Sequence, residues 1–129
     1  MKIIYTWGVF DLLHVGHIKL LEDAKALGDY LIVGVFTDEV AKSFKRKPII
    51  PFKQRIKMLR ALKIVNFVVP QKTLQPTIEK KDWIFAKGPG ATWEKNYRQI
   101  GKKFGARTVL LKYHKGASTT DIIKRCKKA

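Results

Sequence analysis

Two histidines and two glycines near the N-terminus have residue types and a spacing that suit phosphate chemistry. Gly8 follows an apolar run, and His14 and His17 flank Gly16. A glycine lets a ligand approach the backbone closely, and the backbone N–H groups at the start of a helix favour an anion. Two imidazoles beside those donors can give hydrogen bonds to the same phosphate. The segment from Gly8 to His17 therefore predicts a binding site for the phosphates of a nucleotide.

Asp11 lies inside this segment, and we interpret it as a support for the loop through hydrogen bonds, as aspartate often provides in turns. A metal site formed by His14, His17 and Asp11 is an alternative. Ligands at metal-binding spacing do not recur elsewhere in the sequence, so we predict no metal ligands. A purely structural role for the two histidines is the other alternative, and their position between a strand and a helix argues against it.

A second segment, from Lys115 to Asp121, precedes the last predicted helix. Ser118 and Asp121 have the spacing of a capping box, which would be a structural role only. In the functional interpretation the glycine frees the loop, while hydroxyl and amide groups face phosphates. We favour phosphate binding because this segment, like the first, follows a predicted strand.

A third segment, the basic segment from Lys45 to Pro51, contains Lys45, Arg46 and Lys47, and Arg55 lies in the helix that follows. Such a charge run is often only a solvated surface. Its position between a strand and a helix would also suit a flexible lid over phosphates. Cations there would neutralise the charge that develops during phosphoryl-type transfer.

Strands and helices alternate along the chain in the predicted secondary structure. Apolar and β-branched runs predict strands, and apolar residues that share one helical face predict helices. The predicted strands are 3–7, 30–36, 66–69, 83–86 and 108–112; the predicted helices are 17–27, a short one from Thr37, one from Pro51 with Phe52, Ile56, Leu59 and Leu62 inward, 74–81, 93–104 and 118–127. The alternation indicates a single α/β domain over residues 1–129 with a doubly wound parallel sheet. Ligands of such sheets bind at the carboxyl ends of the strands, where both phosphate segments lie.

The composition restricts the class of protein. The chain has 129 residues, of which 46% are hydrophobic, enough for one domain with a core. It has 27 basic and 10 acidic residues and a net charge of +17, which attracts polyanions or reflects a lysine-rich surface. No membrane span or signal peptide is evident, so we expect a cytoplasmic protein. The single cysteine, Cys126, excludes an internal disulfide framework.

These motifs resemble those of a known family. The pattern from Gly8 through Phe10, Asp11 and His14 to His17, together with Ser118-Thr119-Thr120, is similar over the whole chain to the cytidylyltransferase-like nucleotidyltransferases. Within that family the similarity is greatest to the glycerol-phosphate cytidylyltransferases, and it extends through Ile18 to Glu22, Gly28 to Leu31 and Thr37 to Glu39.

The resemblance implies a Rossmann-like fold, a homodimer and in-line attack of an acceptor phosphate on the α-phosphate of a triphosphate. Pyrophosphate would leave without a covalent enzyme intermediate, and Mg²⁺ would accompany the triphosphate. By position, the implied catalytic residues are His14, His17 and Lys45. The implied nucleotide-binding residues are Val9, Phe10, Gly16, Arg46, Lys87, Gly88, Gly116, Ser118, Thr119 and Thr120, and the implied acceptor-phosphate ligands are Arg55 and Lys47.

The chain also departs from the glycerol-phosphate enzymes. Lys87 to Trp93 lacks their aspartates, Tyr113 or His114 stands where an arginine is expected, and Asn66 replaces an aspartate. Lys87-Gly88 and the segment from Ser118 to Lys124 resemble the heptose-phosphate adenylyltransferases instead. Our leading hypothesis is that CTP reacts with sn-glycerol 3-phosphate to give CDP-glycerol and pyrophosphate. The alternatives are an adenylyltransferase that acts on a sugar phosphate or a cofactor precursor and, more remotely, a non-catalytic nucleic-acid-binding module.

Overall fold

Five parallel strands form one sheet in the computed structural model, which describes residues 1–76, 82–89, 91–114 and 118–129. The strands are β1 (Ile3–Gly8), β2 (Tyr30–Phe36), β3 (Phe67–Gln71), β4 (Ile84–Lys87) and β5 (Arg107–Leu110). Their order in the sheet is β3-β2-β1-β4-β5. The chain thus adds strands on one side of β1 and then crosses to the other side, so the switch point lies between β1 and β4.

Helices cover both faces of this sheet. They are α1 (Val15–Lys25), α2 (Asp38–Phe44), α3 (Phe52–Arg60), α4 (Ala91–Phe104) and α5 (Thr119–Lys128). Leu21 of α1 and Leu59 of α3 pack on one face, while Ala41 of α2 and Ile100 of α4 pack on the other. The arrangement confirms the predicted Rossmann-like, doubly wound α/β fold. In the described part of the chain, no helix is long and apolar enough to cross a membrane.

The central strands are buried on both sides, as their continuous apolar runs predict. Neighbouring side chains of β1 point to opposite faces, so Ile4 belongs to one apolar cluster and Tyr5 to the other. The Tyr5 hydroxyl crosses β2 and donates a hydrogen bond to Gln71 Oε1 at 2.6 Å. Gly34 of β2 permits this path, because a Cβ atom there would lie 2.1 Å from the Tyr5 hydroxyl oxygen.

Several predicted boundaries differ from the structure. The helix expected from His17 begins at Val15, and β3 continues through Pro70 to Gln71 although Pro70 was expected to end it. Proline is tolerated there because β3 is an edge strand, where a missing N–H leaves no partner unsatisfied. Of the helix expected over 74–81, residues 74–76 are not helical and 77–81 lie outside the described residues.

The predicted helix starts at Thr37, Pro51 and Ser118 are confirmed. Thr37 Oγ1 accepts a hydrogen bond from the Val40 N–H, and Ser118 Oγ accepts one from the Asp121 N–H. Pro51 occupies the capping position of α3 without a side-chain hydrogen bond. These local signals depend on neighbouring residues only, and this explains why they could be found in the sequence.

Candidate functional site

The carboxyl ends of β1 and β4 meet the first turns of α1 and α5 around two adjoining cavities. The first cavity has a volume of about 280 Å³ and the second about 320 Å³. Both are lined by His17, Lys45, Gly88 and Thr119. Among the other predicted site residues, Val9, Phe10, Arg46 and Lys87 line the first cavity, while His14, Gly16, Ser118 and Thr120 line the second.

Three predicted site residues are not placed in these cavities. Lys47 is exposed and lines neither cavity, and Arg55 is buried beneath the site. Gly116 lies outside the described residues. The two ligands expected for the acceptor phosphate are therefore both away from the cavities, whereas the described residues expected to bind nucleotide surround them.

The two histidines cap α1 reciprocally. His14 is the capping residue, and its Nδ1 accepts a hydrogen bond from the Gly16 N–H at 3.0 Å. In return, Nδ1 of His17 accepts from the His14 N–H at 3.2 Å, and the two rings stack with centroids 3.9 Å apart. Serine or threonine with glutamate or glutamine usually forms this motif. Because each Nδ1 is an acceptor, each neutral ring carries its proton on Nε2.

The imidazole of His17 is uncharged near neutral pH. The pKa of His17 is lowered to about 4, mainly by burial; His14 and Lys45 contribute to the decrease, while Asp11 opposes it. Burial also lowers the pKa of the His14 imidazole. Both side chains are thus neutral hydrogen-bond donors rather than cations at neutral pH. Such donors can stabilise charge on a phosphate oxygen without having to lose a proton.

Asp11 supports the first predicted phosphate loop, which joins β1 to α1, as expected, but it does so by contacting the basic segment. Its carboxylate is buried and accepts hydrogen bonds from the N–H groups of Ile49 at 2.8 Å and Ile50 at 2.9 Å. Arg46 lies 3.5 Å from the same carboxylate. The end of the segment proposed as a flexible lid is thereby anchored to the loop, which leaves Lys45 and Arg46 at the first cavity.

The backbone of this loop is strained. Phe10 and Leu12 have φ angles of 56° and 50°, in the left-handed region that residues other than glycine seldom adopt. Such conformations persist only where the surrounding structure holds them. Asp11 lies between these two residues, so its hydrogen bonds to Ile49 and Ile50 restrain the strained segment directly.

Arg55 has its hydrogen-bond partners within the protein. Its guanidinium is fully buried: Nη1 donates to the carbonyls of Val9 at 2.7 Å and Phe36 at 2.9 Å. Nε donates to the carbonyl of Ile50, and Nη2 forms an ion pair with Asp38 at 2.6 Å. The contact of Arg55 with an acceptor phosphate stays a prediction, because in this structure all three guanidinium nitrogens donate to groups of the protein. The side chain instead joins the first phosphate loop to β2, α2 and the basic segment.

Lys87 brings a further cation to the first cavity from the end of β4. Its Nζ lies 4.9 Å from the centroid of the Trp7 ring and 5.9 Å from that of Phe36, which are cation–π distances. Burial lowers the pKa of Lys87 to about 8, and Lys45 contributes to the decrease. The contact with Trp7 was missed from the sequence, because nothing in the sequence shows that β1 pairs with β4.

The second phosphate loop reaches the first through Thr119. Its Oγ1 donates to the Asp11 carbonyl at 3.0 Å and lies 3.3 Å from His14 Nε2. His114, one of the two residues at the position expected for arginine, lies with Nε2 2.6 Å from the Asp23 carboxylate of α1. Lys112, Tyr113 and His114 also line the second cavity, and only their position before the second loop could have indicated this.

Comparisons with known proteins agree with this geometry. A family model described as cytidylyltransferase-like matches residues 5–125. The chain is 37% identical over 95% of its length to glycerol-3-phosphate cytidylyltransferase of Staphylococcus aureus and covers 92% of that protein. The chain belongs to the cytidylyltransferase-like family, and this membership confirms the family inferred from the motifs.

Other relatives are longer or are known as structures. The bifunctional protein HldE of Helicobacter pylori strain ATCC 700392 is 40% identical over 98% of the chain, but the chain spans only 28% of its length. A lipopolysaccharide core biosynthesis protein from Thermoplasma volcanium has 29% identity and a TM-score of 0.77, with 91% of this chain and 99% of that chain covered. This structural match supports the Rossmann-like fold of a single small unit.

The buried position of Arg55 predicts a large effect on stability. In Arg55→Lys the charge remains, but one ammonium cannot reach all four acceptors, so buried carbonyls and Asp38 lose partners. We expect the free energy of unfolding to fall by about 3 kcal/mol, as for other disrupted buried ion pairs. Urea unfolding monitored by circular dichroism measures it.

Arg60→Lys is the matched control, because Arg60 is exposed at the end of the same helix. Its stability should change by no more than about 0.5 kcal/mol. Wild-type stability of Arg55→Lys, combined with a raised KM for an acceptor phosphate, would support the original interpretation of Arg55.

Proposed function

We propose that this chain is a nucleotidyltransferase that joins CTP to a small alcohol phosphate, with sn-glycerol 3-phosphate as the acceptor. The products would be CDP-glycerol and pyrophosphate. The observation that carries the proposal is the reciprocal cap of His14 and His17, which presents two Nε2–H donors beside Lys45 and Lys87. The Staphylococcus aureus relative, matched over nearly its whole length, supports this substrate pair. Family membership supports an enzyme over a nucleic-acid-binding module.

The arrangement of donors suits direct phosphoryl transfer. An oxygen of the acceptor phosphate attacks the α-phosphorus, and the bond from that phosphorus to the bridging oxygen of pyrophosphate breaks. Negative charge spreads over the equatorial oxygens in the transition state. The neutral imidazoles donate hydrogen bonds there, and the ammonium groups of Lys45 and Lys87 offset the charge on the phosphates. The α5 N-terminus, capped by Ser118, supplies further backbone donors.

Magnesium fits this site as part of the substrate. Asp11 is the carboxylate that lines the first cavity, and its two oxygens already accept hydrogen bonds from Ile49 and Ile50. Over the ranges that the structure describes, no cluster of three or more histidine, cysteine or acidic side chains could hold a metal. We propose that Mg²⁺ enters on the triphosphate, whose oxygens and water would be its ligands. Bound there, it would neutralise phosphate charge.

A second candidate is an adenylyltransferase that acts on a sugar phosphate. The similarity to HldE over 98% of the chain favours it, and so does the structural match to a lipopolysaccharide core biosynthesis protein. Both candidates use the same phosphate site and differ only in the base and the acceptor.

The resemblance to the family is also our support for proposing a cytoplasmic homodimer.

A pyrophosphate-release screen tests the proposal. Each of four nucleoside triphosphates with Mg²⁺ is combined with glycerol 3-phosphate and with a panel of sugar phosphates. We expect release with CTP and glycerol 3-phosphate. Release with ATP and a sugar phosphate, but not with CTP, would replace the leading candidate by the second. Absence of release from every pair would count against nucleotidyl transfer.

His17→Asn separates transition-state stabilisation from substrate binding. The asparagine Oδ1 lies where Nδ1 of the histidine accepts from the His14 N–H, so the cap of α1 is preserved while Nε2–H is lost. We expect kcat to fall about 100-fold or more, as when one oxyanion donor is removed. The Kd of the triphosphate, measured by calorimetry, should change only a few-fold. Equal losses in kcat and in affinity would make His17 a ground-state ligand.

Lys87 predicts a pH dependence for triphosphate binding. Because the pKa of Lys87 in the free protein is about 8, its amine carries a positive charge below pH 8 and loses the proton and the charge above it. A bound triphosphate favours the charged form, so affinity should be constant below about pH 8 and should decrease as the pH rises further. Calorimetric titrations between pH 6.5 and pH 9.5 measure this.

Lys87→Gln should bind more weakly and lose the decrease above pH 8. Lys57→Gln is the control, because Lys57 is exposed on α3 and lines neither cavity. It should retain the wild-type profile. An unchanged pH profile in Lys87→Gln would mean that another group causes the decrease.

A further inference from the structure

Thr119 connects the two phosphate loops through a single hydroxyl group. It is the first residue of α5, and it lines both cavities. Its Oγ1 lies 3.0 Å from the carbonyl oxygen of Asp11 and 3.3 Å from Nε2 of His14. The same hydroxyl therefore contacts the strained loop after β1 and the residue that caps α1.

Hydrogen bonds link Gly16, His14, Thr119 and Asp11 in series, and the groups at the two ends of this series determine which atom donates in each bond. A carbonyl oxygen only accepts, so the Thr119 hydroxyl proton is directed at Asp11. At the other end, His14 Nδ1 accepts from the Gly16 N–H and carries no proton. The ring proton is therefore on Nε2, and Oγ1 of Thr119 is its acceptor.

Other states of the ring do not fit these contacts. The Nδ1–H tautomer would place two donors against each other at Gly16, and so would the doubly protonated ring. Either state would break the cap of α1, because the cap needs Nδ1 as an acceptor. Gly16 and Thr119 thus hold the His14 ring from opposite sides in one tautomer and one orientation.

The acceptor available to the Nε2–H of His14 differs between the free protein and a nucleotide complex. The Nε2–H of His14 is directed at a neutral hydroxyl in the structure. A phosphate oxygen that enters the second cavity is a charged acceptor, and hydrogen bonds to charged acceptors are about twice as strong as neutral ones. The Nε2–H of His14 therefore gains by changing its acceptor from the Thr119 hydroxyl to a phosphate oxygen, while the hydrogen bond from Thr119 to the Asp11 carbonyl can remain.

We propose that Thr119 is a positioning residue for His14. Its hydroxyl keeps the His14 ring in the Nε2–H tautomer, aimed at the cavities, until a phosphate oxygen of the substrate takes the place of Oγ1 as acceptor. The inference rests on the proposed function and deepens it, because it assigns Thr119 an action through His14 rather than only a contact with the nucleotide. The same hydroxyl thus holds the start of α5 against the loop after β1 and orients the His14 ring.

A pair of substitutions at Thr119 tests this role. Thr119→Val keeps the shape of the side chain and removes the hydroxyl, whereas Thr119→Ser keeps the hydroxyl. We expect kcat/KM to fall about five- to tenfold in Thr119→Val, the equivalent of one neutral hydrogen bond. Thr119→Ser should stay within about twofold of the wild type. Equal losses in the two variants would overturn the proposal.

The tautomer of His14 gives a measurement that does not depend on activity. Nitrogen-15 correlation spectra of the free protein should show a protonated Nε2 and an unprotonated Nδ1 at His14, with Thr119→Val shifted towards a mixture of tautomers. Wild-type ring shifts in Thr119→Val would contradict the inference. Because these spectra need no substrate, they test the role of Thr119 even if the pyrophosphate screen is negative.

A double-mutant cycle separates action through His14 from direct binding of nucleotide. In a His14→Ala background, Thr119→Val should have no further effect on kcat/KM. Thr120→Val is the matched control, since Thr120 lines the second cavity at the next position and has no hydrogen bond to His14 among those of the described residues. Its effect should add to that of His14→Ala. An additive effect of Thr119→Val would mean that the hydroxyl acts independently of His14, as a direct ligand or through Asp11, and would overturn the proposal.

Discussion

The buried guanidinium of Arg55 is the constraint on which the candidate site depends. A charge is costly to bury unless it is paired and its donors have partners, and here Asp38 and three backbone carbonyls supply them. These carbonyls belong to the loop after β1, the end of β2 and the basic segment, so one side chain fixes three separate parts of the site.

Asp11 is a second buried ionisable group in the site whose hydrogen-bond partners are backbone groups, and its charge is negative. Its carboxylate accepts hydrogen bonds from Ile49 and Ile50, whose segment is also held by Arg55. The two buried groups therefore hold the loop between Phe10 and Leu12 in a backbone conformation that the loop would not adopt alone. With the loop held in this way, Lys45, Lys87 and two neutral histidines converge without a free carboxylate among them. Burial is the main cause of the lowered pKa of Lys87 and of His17, and the charge of Lys45 lowers both further, so a bound anion would offset the positive charge of the two lysines.

Much of the fold could be predicted from the sequence, because its signals are local. Alternating elements gave the parallel sheet, the topological rule placed both phosphate loops at the strand ends, and the caps at Thr37 and Ser118 involve only near neighbours. The role of Arg55 could not be predicted in the same way, since its partners lie up to 46 residues away. A basic residue on a helix after a basic loop has the same local pattern whether it is buried or exposed. The contact between Trp7 and Lys87 and the link from Thr119 to His14 also depend on tertiary pairing alone.

The same physics explains why relatives with different names are almost equally similar to this chain. CTP and ATP carry an identical triphosphate, so the loops that bind phosphates need not differ between enzymes that use one or the other. In this chain Arg55, Asp11 and the histidine cap hold those loops through contacts that involve neither a base nor an acceptor. The chain is 37% identical to the cytidylyltransferase and 40% identical to HldE, so overall identity does not separate the two candidates. Selection of the base and of the acceptor must then come from residues at the rim of the two cavities, where the chain departs from the glycerol-phosphate enzymes. Lys112, Tyr113 and His114 line the second cavity and are candidates for this selection.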